Sequence, residues 1–268
     1  MNFTKKKNSL MLIGTLCATL FSTQAFAQNA ANDVLTNAVD YLDVPYVAGV
    51  LDQNDTEELV LNTDEMDCTT FVEYAIALAL APVKENNYKD EEVFADYVQK
   101  LRYRDGKIDG YTSRLHYMTE WAQNAIKAGI LEDVAEKNSK NTMQVQTGYM
   151  TNHPNLYKHL ANNPQNMEKM RAIEQSINGT TVHYVPVSNL PNDGLKWIHD
   201  GDIIMFTTNE PGLDIAHMGL AFNISGKLTI MHASSVEKRV EVSKVTIKKM
   251  LEDNPKWTGI RVLRVVKH

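Results

Sequence analysis

The chain is poor in cysteine, shows no internal repeat or low-complexity tract, and has no excess of basic residues. It has two cysteines among 268 residues, and its 27 Lys and Arg face 33 Asp and Glu, for a formal net charge of −6. This acidic balance does not indicate a nucleic-acid partner. A hydrophobic fraction of 43% is typical of a globular protein. The length suits one domain with a sizeable core, or one domain with a large insertion.

The N-terminal segment has the pattern of a cleavable signal peptide. Three lysines at 5–7 precede the apolar run LMLIGTLCATLF, and Ala-Phe-Ala at 25–27 provides small residues before Gln28. The alternative of a membrane anchor is disfavoured, because the run is shorter than the roughly 20 residues that a span needs. The residues before Cys17 do not resemble a lipoprotein site. We therefore expect cleavage after Ala27, which leaves residues 28–268 and, with three lysines removed, a charge of −9.

Loss of that segment would leave Cys68 as the single cysteine, so no intramolecular disulfide is expected. A lone cysteine in an exported protein is a thiol for a partner chain, a small buried hydrophobe or a nucleophile. The residues around it separate these alternatives.

Cys68 stands at the predicted start of a buried helix. Residues 69–80, TTFVEYAIALAL, are apolar nearly all round, and Pro82 marks the helix end. Asp67 is a plausible N-cap, which puts Cys68 at the first helical position. There the free N–H groups and the helix dipole favour a thiolate and could hold an oxyanion. The position favours the nucleophile.

The C-terminal third changes to a period of two, which is typical of strands. The segments are 202–207, 217–222, 228–234, 240–245 and 259–266, separated by short turns that contain Gly, Pro or Asn. Short connections predict an antiparallel sheet.

Two histidines lie on adjacent predicted strands. If Ile224 and Ser225 are the central turn residues, His217 faces His232 directly; if Ser225 and Gly226 are, His232 faces Gly219. Both registers put the two imidazoles on one face, because side chains alternate along a strand. The two histidines are either a structural pair that hydrogen-bond each other in the core, or a catalytic pair in which His217 is the general base and His232 orients its ring.

Several stretches together resemble the NlpC-type cell-wall hydrolases, which are papain-like. The stretches are LDVPYVAG at 42–49, DCTT at 67–70, GDIIMF at 201–206 and AHMGL at 216–220, with His232 at the third, polar position. The resemblance implies an α+β, papain-like fold, in which a nucleophile-bearing helix packs on a C-terminal antiparallel sheet. Thr70 departs from the family pattern, where glycine is usual.

The departure, the long separation between helix and sheet, and RLHYMTEW at 114–121 resemble one branch, the N-acetylmuramoyl-L-alanine amidase-like proteins of Gram-negative bacteria. This resemblance implies cleavage of the amide between N-acetylmuramic acid and L-Ala by a Cys–His–His site, through a thioester. The alternative is the endopeptidase activity of the wider family, between D-Glu and the diamino acid. The phenol of Tyr46 is a candidate second oxyanion donor beside the backbone N–H of Cys68.

The resemblance also implies a partner, a compartment and an oligomeric state for the protein. The expected partner is peptidoglycan or a muropeptide, in the periplasm, and we expect a monomer without cofactor or metal. No nucleic acid and no stable membrane insertion are expected after signal cleavage.

Residues 28–268 are predicted to form a single catalytic domain with a mainly helical insertion at about 83–190. Helices are expected at 118–129 and 166–178. The stretch between them, rich in Asn, Thr and Tyr, is either a sugar-binding surface or a solvated loop. Arg114 could bind a substrate carboxylate in a bidentate pair, or be a surface charge. His116 and Tyr117 are candidate substrate-binding residues, although packing would also explain His116.

Two other functions compete with this reading. One is a zinc amidase that uses His116, His153, His159 or His183, although no H-E-x-x-H motif is present. The other is a non-catalytic wall-binding module in which Cys68 is merely buried. Sensitivity to EDTA but not to iodoacetamide would support the first, and binding without turnover would support the second.

Overall fold

The computed structural model describes residues 33–84 and 89–266. The predicted signal peptide, with Cys17 and the cleavage site at Ala27, lies outside these residues. Within them, no helix combines the length and the apolar character that a membrane span requires.

From Val39 onwards, the described residues form seven α-helices. They are α1 Cys68–Leu80, α2 Glu91–Arg102, α3 Met118–Lys127, α4 Val134–Asn138, α5 Tyr149–Asn152, α6 Pro164–Ile177 and α7 Ile247–Asp253. Residues 33–38 are also helical. Short 3-10 turns occur at Val39–Tyr41, Arg104–Gly106, Tyr111–Ser113, Pro154–Leu156 and Val187–Asn189.

The strands form two antiparallel sheets. They are β1 Leu131–Asp133, β2 Thr142–Gln144, β3 Thr181–His183, β4 Val185–Pro186, β5 Ile203–Thr208, β6 Ile215–Ile224, β7 Lys227–Ser234, β8 Arg239–Val242 and β9 Trp257–Val265. The large sheet has the order β1-β9-β5-β6-β7-β8, with β4 also paired to β9, and β2 pairs with β3. The predicted α+β class with an antiparallel C-terminal sheet is confirmed, whereas the papain-like arrangement stays a prediction.

The predicted elements agree with the observed ones to within a few residues. Helix α3 ends at Lys127, just before Gly129, which has φ 72°, and α6 ends at Ile177, just before Gly179, which has φ 81°. Glycine at these positions ends each helix because it adopts a left-handed conformation without strain.

The segment at about 83–190 contains short strands as well as the expected helices. It contributes β1 and β4, both of which pair with β9 of the C-terminal sheet, as well as the small β2–β3 sheet. The prediction missed these strands because each has only two or three residues, too few for a period to be visible. The insertion is therefore attached to the main sheet through backbone hydrogen bonds.

Helix α1 packs on one face of the large sheet. Its buried side chains, such as Phe71, Val72 and Ile76, share a core cluster with Met205, Met218 and other residues of the sheet. The reverse face of the sheet carries a second cluster that includes Ile204, Phe206 and Ile230. A third cluster, with Tyr117, Met150 and Met170, lies within the insertion.

The hairpin of β6 and β7 selects the second of the two predicted registers. Ile224 pairs with Lys227 and Leu220 with Met231, so Ser225 and Gly226 are the central turn residues. Both have positive φ, 51° and 78°, as a type I′ turn requires. His232 accordingly lies opposite Gly219, and a Cβ placed on Gly219 would approach the Cβ of His232 to 2.8 Å.

Candidate active site

Cys68 is the first residue of α1, as predicted. The side chain of Asp67 accepts from the N–H groups of Thr69 at 3.0 Å and Thr70 at 2.8 Å. The Thr70 hydroxyl accepts in return from the backbone N–H of Asp67 at 2.9 Å, which completes a capping box. Thr70, the departure from the family pattern, thus helps to fix the helix start at the thiol.

The thiol lies where β6 and β7 separate. The N–H of Ala221 donates to Asp202 O on β5, so alternation along β6 turns the N–H groups of Leu220 and Met218 towards β7. The pairing with β7 stops at Leu220, and the N–H of Met218 instead interacts with the Cys68 thiol. The sulfur therefore meets the peptide bond that joins His217 to Met218.

The thiol is neutral at rest, contrary to the expectation from its helix position. Burial and the negative charge of Asp67 raise the pKa of Cys68 to about 12, although the N–H of Met218 and the Thr69 hydroxyl act in the opposite direction. The carboxylate that caps the helix thus opposes the field of the helix dipole. The helix dipole alone therefore does not determine the protonation of Cys68, because the charge of Asp67 acts against it.

The two predicted imidazoles are in direct contact. His217 Nε2 lies 2.6 Å from His232 Nδ1, and the rings meet edge to face. His217 pairs across the sheet with Phe206, so both imidazoles lie on the face opposite the one that α1 covers. His217 also stacks against Trp257, with an interplanar angle of 8°. This packing holds its ring in one plane.

Burial lowers the pKa of each imidazole. Burial, with a contribution from His232, lowers the pKa of His217 to about 3. Burial lowers the pKa of His232, which is 6% exposed, to about 4. The pair is therefore neutral near pH 7, so that one ring can accept a proton.

Sequence reasoning missed Glu241, which pairs with His232 between β7 and β8. Glu241 Oε1 lies 3.9 Å from His232 Nε2. The available signal was an acidic residue in an otherwise apolar alternation, VEV at 240–242. Trp257 was also missed, because its contact with His217 depends on the pairing of β9 with β5.

Tyr46 lies close to the thiol. Its pKa rises to about 12 through burial and then through the charges that Cys68 and Asp67 can carry. Its backbone N–H donates to Lys238 O at 2.9 Å, and a β-bridge joins it to Met66. The phenol therefore keeps its proton near pH 7 and is able to donate it in a hydrogen bond.

Arg114 forms a charged cluster with Asp52 and Glu57. Its guanidinium donates to Asp52 Oδ1, and its Nε lies 3.5 Å from Glu57 Oε1. It is 5% exposed and lies over the ring of Tyr111. Burial opposes its charge, but the two carboxylates outweigh burial and raise the pKa of Arg114. Two protein carboxylates hold this side chain, and its binding of a substrate carboxylate stays a prediction.

His116 and Tyr117 are bound to other protein groups. His116 Nε2 lies 2.9 Å from Tyr111 O, and burial together with Arg114 lowers the pKa of His116 to about 3. The hydroxyl of Tyr117, 2% exposed, donates to Glu174 Oε1 at 2.6 Å and accepts from Met150 N. These contacts explain both side chains by packing, and their roles in substrate binding remain predictions.

Of the histidines considered for zinc, His116 and His159 both pack against the ring of Tyr111, with ring centroids 4.4 and 4.8 Å from its centroid. His153 contacts Tyr149 O, and His183 contacts Ser139 O. Within residues 33–84 and 89–266, no group of three or more His, Cys, Asp or Glu side chains could hold a metal ion.

A cavity of about 510 Å³ lies at the other end of α1. It is lined by Leu80, Lys100, Lys127 and neighbouring residues of α2 and α3. It shares no lining residue with the thiol or the imidazoles, so its volume says nothing about the substrate.

The fold and these contacts define an α+β protein with a helix-terminal thiol at the His217–Met218 peptide of β6 and a pair of hydrogen-bonded imidazoles on β6 and β7. Residues 37–260 match the AmiA-like family, which is described as N-acetylmuramoyl-L-alanine amidase-like. The chain belongs to this family.

Similar solved structures agree with that membership. An N-acetylmuramoyl-L-alanine amidase from Bacteroides uniformis is 56% identical, with a TM-score of 0.86 over 88% of this chain and 99% of its own. A Bacteroides fragilis protein named as a xylanase is 51% identical, with a TM-score of 0.83 over 85% of this chain and 99% of its own.

A protein from Legionella pneumophila is 20% identical, with a TM-score of 0.64 over 89% of each chain, and shows likeness in fold alone. Comparison with curated proteins gives no match.

Proposed function

We propose that the protein is a peptidoglycan amidase that cleaves the amide between N-acetylmuramic acid and L-Ala, with Cys68 as nucleophile and His217 as base. The observation that carries this proposal is the meeting of the Cys68 thiol with the peptide that joins His217 to Met218. A helix-terminal thiol beside an oriented imidazole is the arrangement that nucleophilic acyl transfer uses. Membership of the amidase-like family supplies the substrate class.

The first step is attack by a neutral thiol rather than a preformed thiolate. The pKa of Cys68 is raised and that of His217 is lowered, so the thiol keeps its proton until attack begins. His217 Nε2 is occupied by His232, which leaves Nδ1 to take this proton. As the S–C bond forms, the carbonyl oxygen becomes an oxyanion. The backbone N–H of Cys68 and the phenol of Tyr46 donate to it.

The second step releases the peptide. The His217 imidazolium returns its proton to the nitrogen of L-Ala as the C–N bond breaks, which leaves a thioester on Cys68. His217 then removes a proton from water, which attacks the thioester and regenerates the thiol. His232 holds the ring and the tautomer of His217 throughout.

The main alternative is cleavage lower in the stem peptide, between D-Glu and the diamino acid. The same thiol and imidazoles perform either hydrolysis, so the choice depends on which bond the surrounding surface brings to the sulfur. The amidase name of the Bacteroides uniformis relative favours the lactyl amide.

Two other readings have less support. Glycoside hydrolysis, the activity in the name of the Bacteroides fragilis protein, uses two carboxylates, whereas a thiol and two imidazoles form this site. Relatives named for catalytic activities do not favour a wall-binding module without turnover.

Location and assembly belong to the same proposal. Export through residues 1–27 would bring the mature chain, a monomer, to the periplasmic peptidoglycan or its fragments.

Digestion of purified muropeptides, followed by mass spectrometry, tests the proposal. We expect free stem peptide that begins with L-Ala, and we expect none with Cys68→Ala as the matched control. Release of a disaccharide that still carries L-Ala and D-Glu would assign the endopeptidase activity instead. Loss of activity with EDTA, together with resistance to iodoacetamide, would assign zinc chemistry.

A further inference from the structure

The contact between the two imidazoles restricts where their protons can be. Two neutral rings that share one hydrogen bond contribute a single proton to it. If His217 Nε2 carries the proton, its Nδ1 has a free lone pair, and His232 must keep its own proton on Nε2. If His232 Nδ1 carries it, His217 is protonated on Nδ1 and cannot accept the proton of the thiol. Only the first state is competent.

Glu241 lies next to the atom that distinguishes the two states. Its Oε1 is 3.9 Å from His232 Nε2, and the two residues pair directly across β7 and β8. The distance exceeds that of a hydrogen bond, so the contact is electrostatic or is bridged by water. The Glu241 side chain is 15% exposed, which limits screening by solvent.

The other charged side chains around Glu241 do not form ion pairs with its carboxylate. Glu237, Arg239 and Lys244 act on it electrostatically. The Arg239 guanidinium donates to Asp43 at 2.8 Å instead. Within the described part of the chain, His232 provides the only ion-pair contact of the Glu241 carboxylate.

We infer that Glu241 is a positioning residue, which acts through His232 to keep the His217 Nδ1 lone pair available to the Cys68 thiol. A carboxylate only accepts hydrogen bonds, so it favours the proton on His232 Nε2. It also stabilises the positive charge that reaches the imidazole pair when the thiol gives up its proton. No bond changes at Glu241, and no proton passes to it. This inference rests on the proposed function.

The test compares Glu241→Gln with Glu241→Asp and with Glu237→Gln. The glutamine removes the charge at nearly the same shape, the aspartate keeps it, and Glu237 loses the same charge in the adjacent turn. We expect Glu241→Gln to lower kcat about tenfold with KM nearly unchanged. Glu241→Asp should recover part of the loss, and Glu237→Gln should behave as wild type.

Two readouts without substrate separate this inference from the proposed function. Nitrogen-15 NMR of the histidines should find His232 protonated on Nε2 in the wild type and a mixture of tautomers in Glu241→Gln. The rate of Cys68 alkylation by iodoacetamide near pH 7 should fall in the same variant. A melting curve for each variant identifies any loss of fold.

Wild-type kcat in Glu241→Gln, together with a reduced kcat in His232→Ala, would overturn the role of Glu241 alone. A wild-type His232 protonated on Nδ1 would do the same even if the variant unfolds. Failure of the wild type to cleave any muropeptide would instead contradict the proposed function, and the tautomer measurement would still decide about Glu241.

Discussion

Polar side chains in the insertion and polar side chains at the junction of α1 with the β6–β7 hairpin differ in whether they have charged partners. In the insertion, charged groups are matched with opposite charges or with donors. Arg114 has two carboxylates, and the carboxylate of Glu174 accepts from Tyr117 and Thr151. Where α1 meets the hairpin, Cys68, His217 and His232 have no oppositely charged side chain within hydrogen-bonding distance among the described residues, and all three are neutral.

The difference separates stability from chemistry. A buried ion pair does not readily exchange a proton, because neutralising one member would leave the other as an unpaired buried charge and would strongly destabilise the fold. A neutral thiol can give its proton to a neutral imidazole once attack on the carbonyl begins. In the insertion, buried charge pairs contribute to stability. At the hairpin site, burial keeps the thiol and the imidazoles neutral until the reaction begins.

The largest effect is expected from removing the thiol or the base. Cys68→Ala and His217→Ala should each lower kcat/KM by at least about 10⁴-fold, because the covalent step is lost. Melting curves should remain close to that of wild type. Activity near the wild-type level in either variant would remove both assignments.

Arg114→Met sharpens the comparison from the side of the insertion. It leaves the buried Glu57 carboxylate without its cation, whereas water can solvate the partly exposed Asp52 carboxylate, so we expect urea unfolding to give a loss near the lower end of about 3–5 kcal/mol. Arg104→Met is the control, because its partly exposed pair with Glu120 should contribute about 1 kcal/mol or less. A raised KM at unchanged stability would instead support the predicted contact with substrate.

His232→Ala should reduce kcat by about tenfold to a thousandfold, since it removes the orienter but leaves the base. Steady-state kinetics and a melting curve measure this together. Unfolding of the variant would show that the imidazole pair is mainly structural.

Acid should destabilise the fold through its buried neutral histidines. Burial lowers the pKa values of His116, His217 and His232, so the unfolded chain binds protons more readily. Their contribution is fully present above the unfolded pKa of about 6.5 and is lost as the pH falls towards their folded values.

For each such histidine, the free energy of unfolding should fall by up to about 1.4 kcal/mol per pH unit in this window. His116→Gln should make the pH dependence of urea unfolding shallower, with exposed His153→Gln as the control. Identical slopes for wild type and His116→Gln would contradict the assignment.

Tyr117→Phe is expected to have the smallest effect. It removes the donor to Glu174 and the acceptor for Met150, so unfolding free energy should drop by about 1–2 kcal/mol while kcat stays close to wild type. Tyr157→Phe is the control, because its hydroxyl has no hydrogen-bond partner within the described chain. A larger change in KM than in stability would revive Tyr117 as a substrate-binding residue.

Much of the hairpin site followed from local patterns. Alternation along β6 and β7 placed His217 and His232 on one face in either register, although only the structure showed which of the two registers is present. Asp67 and Thr70 specified the helix start at Cys68, since a capping box spans only four residues. These features depend on neighbours in the chain, which a sequence displays directly.

The remaining features depended on segments that are far apart in the chain. The carboxylates on Arg114 come from a loop about sixty residues earlier, and β1 and β4 are recognisable as strands only through β9. The spacing of residues in the sequence carries no information about such long-range contacts.

The sequence by itself determined which groups can react and that they share a helix tip and a strand face, because helix caps and strand parity are local. Only the tertiary structure decided their protonation, since pKa values depend on burial and on charges brought from elsewhere. It likewise decided that Glu241 faces His232, because that contact requires β8 to pair with β7.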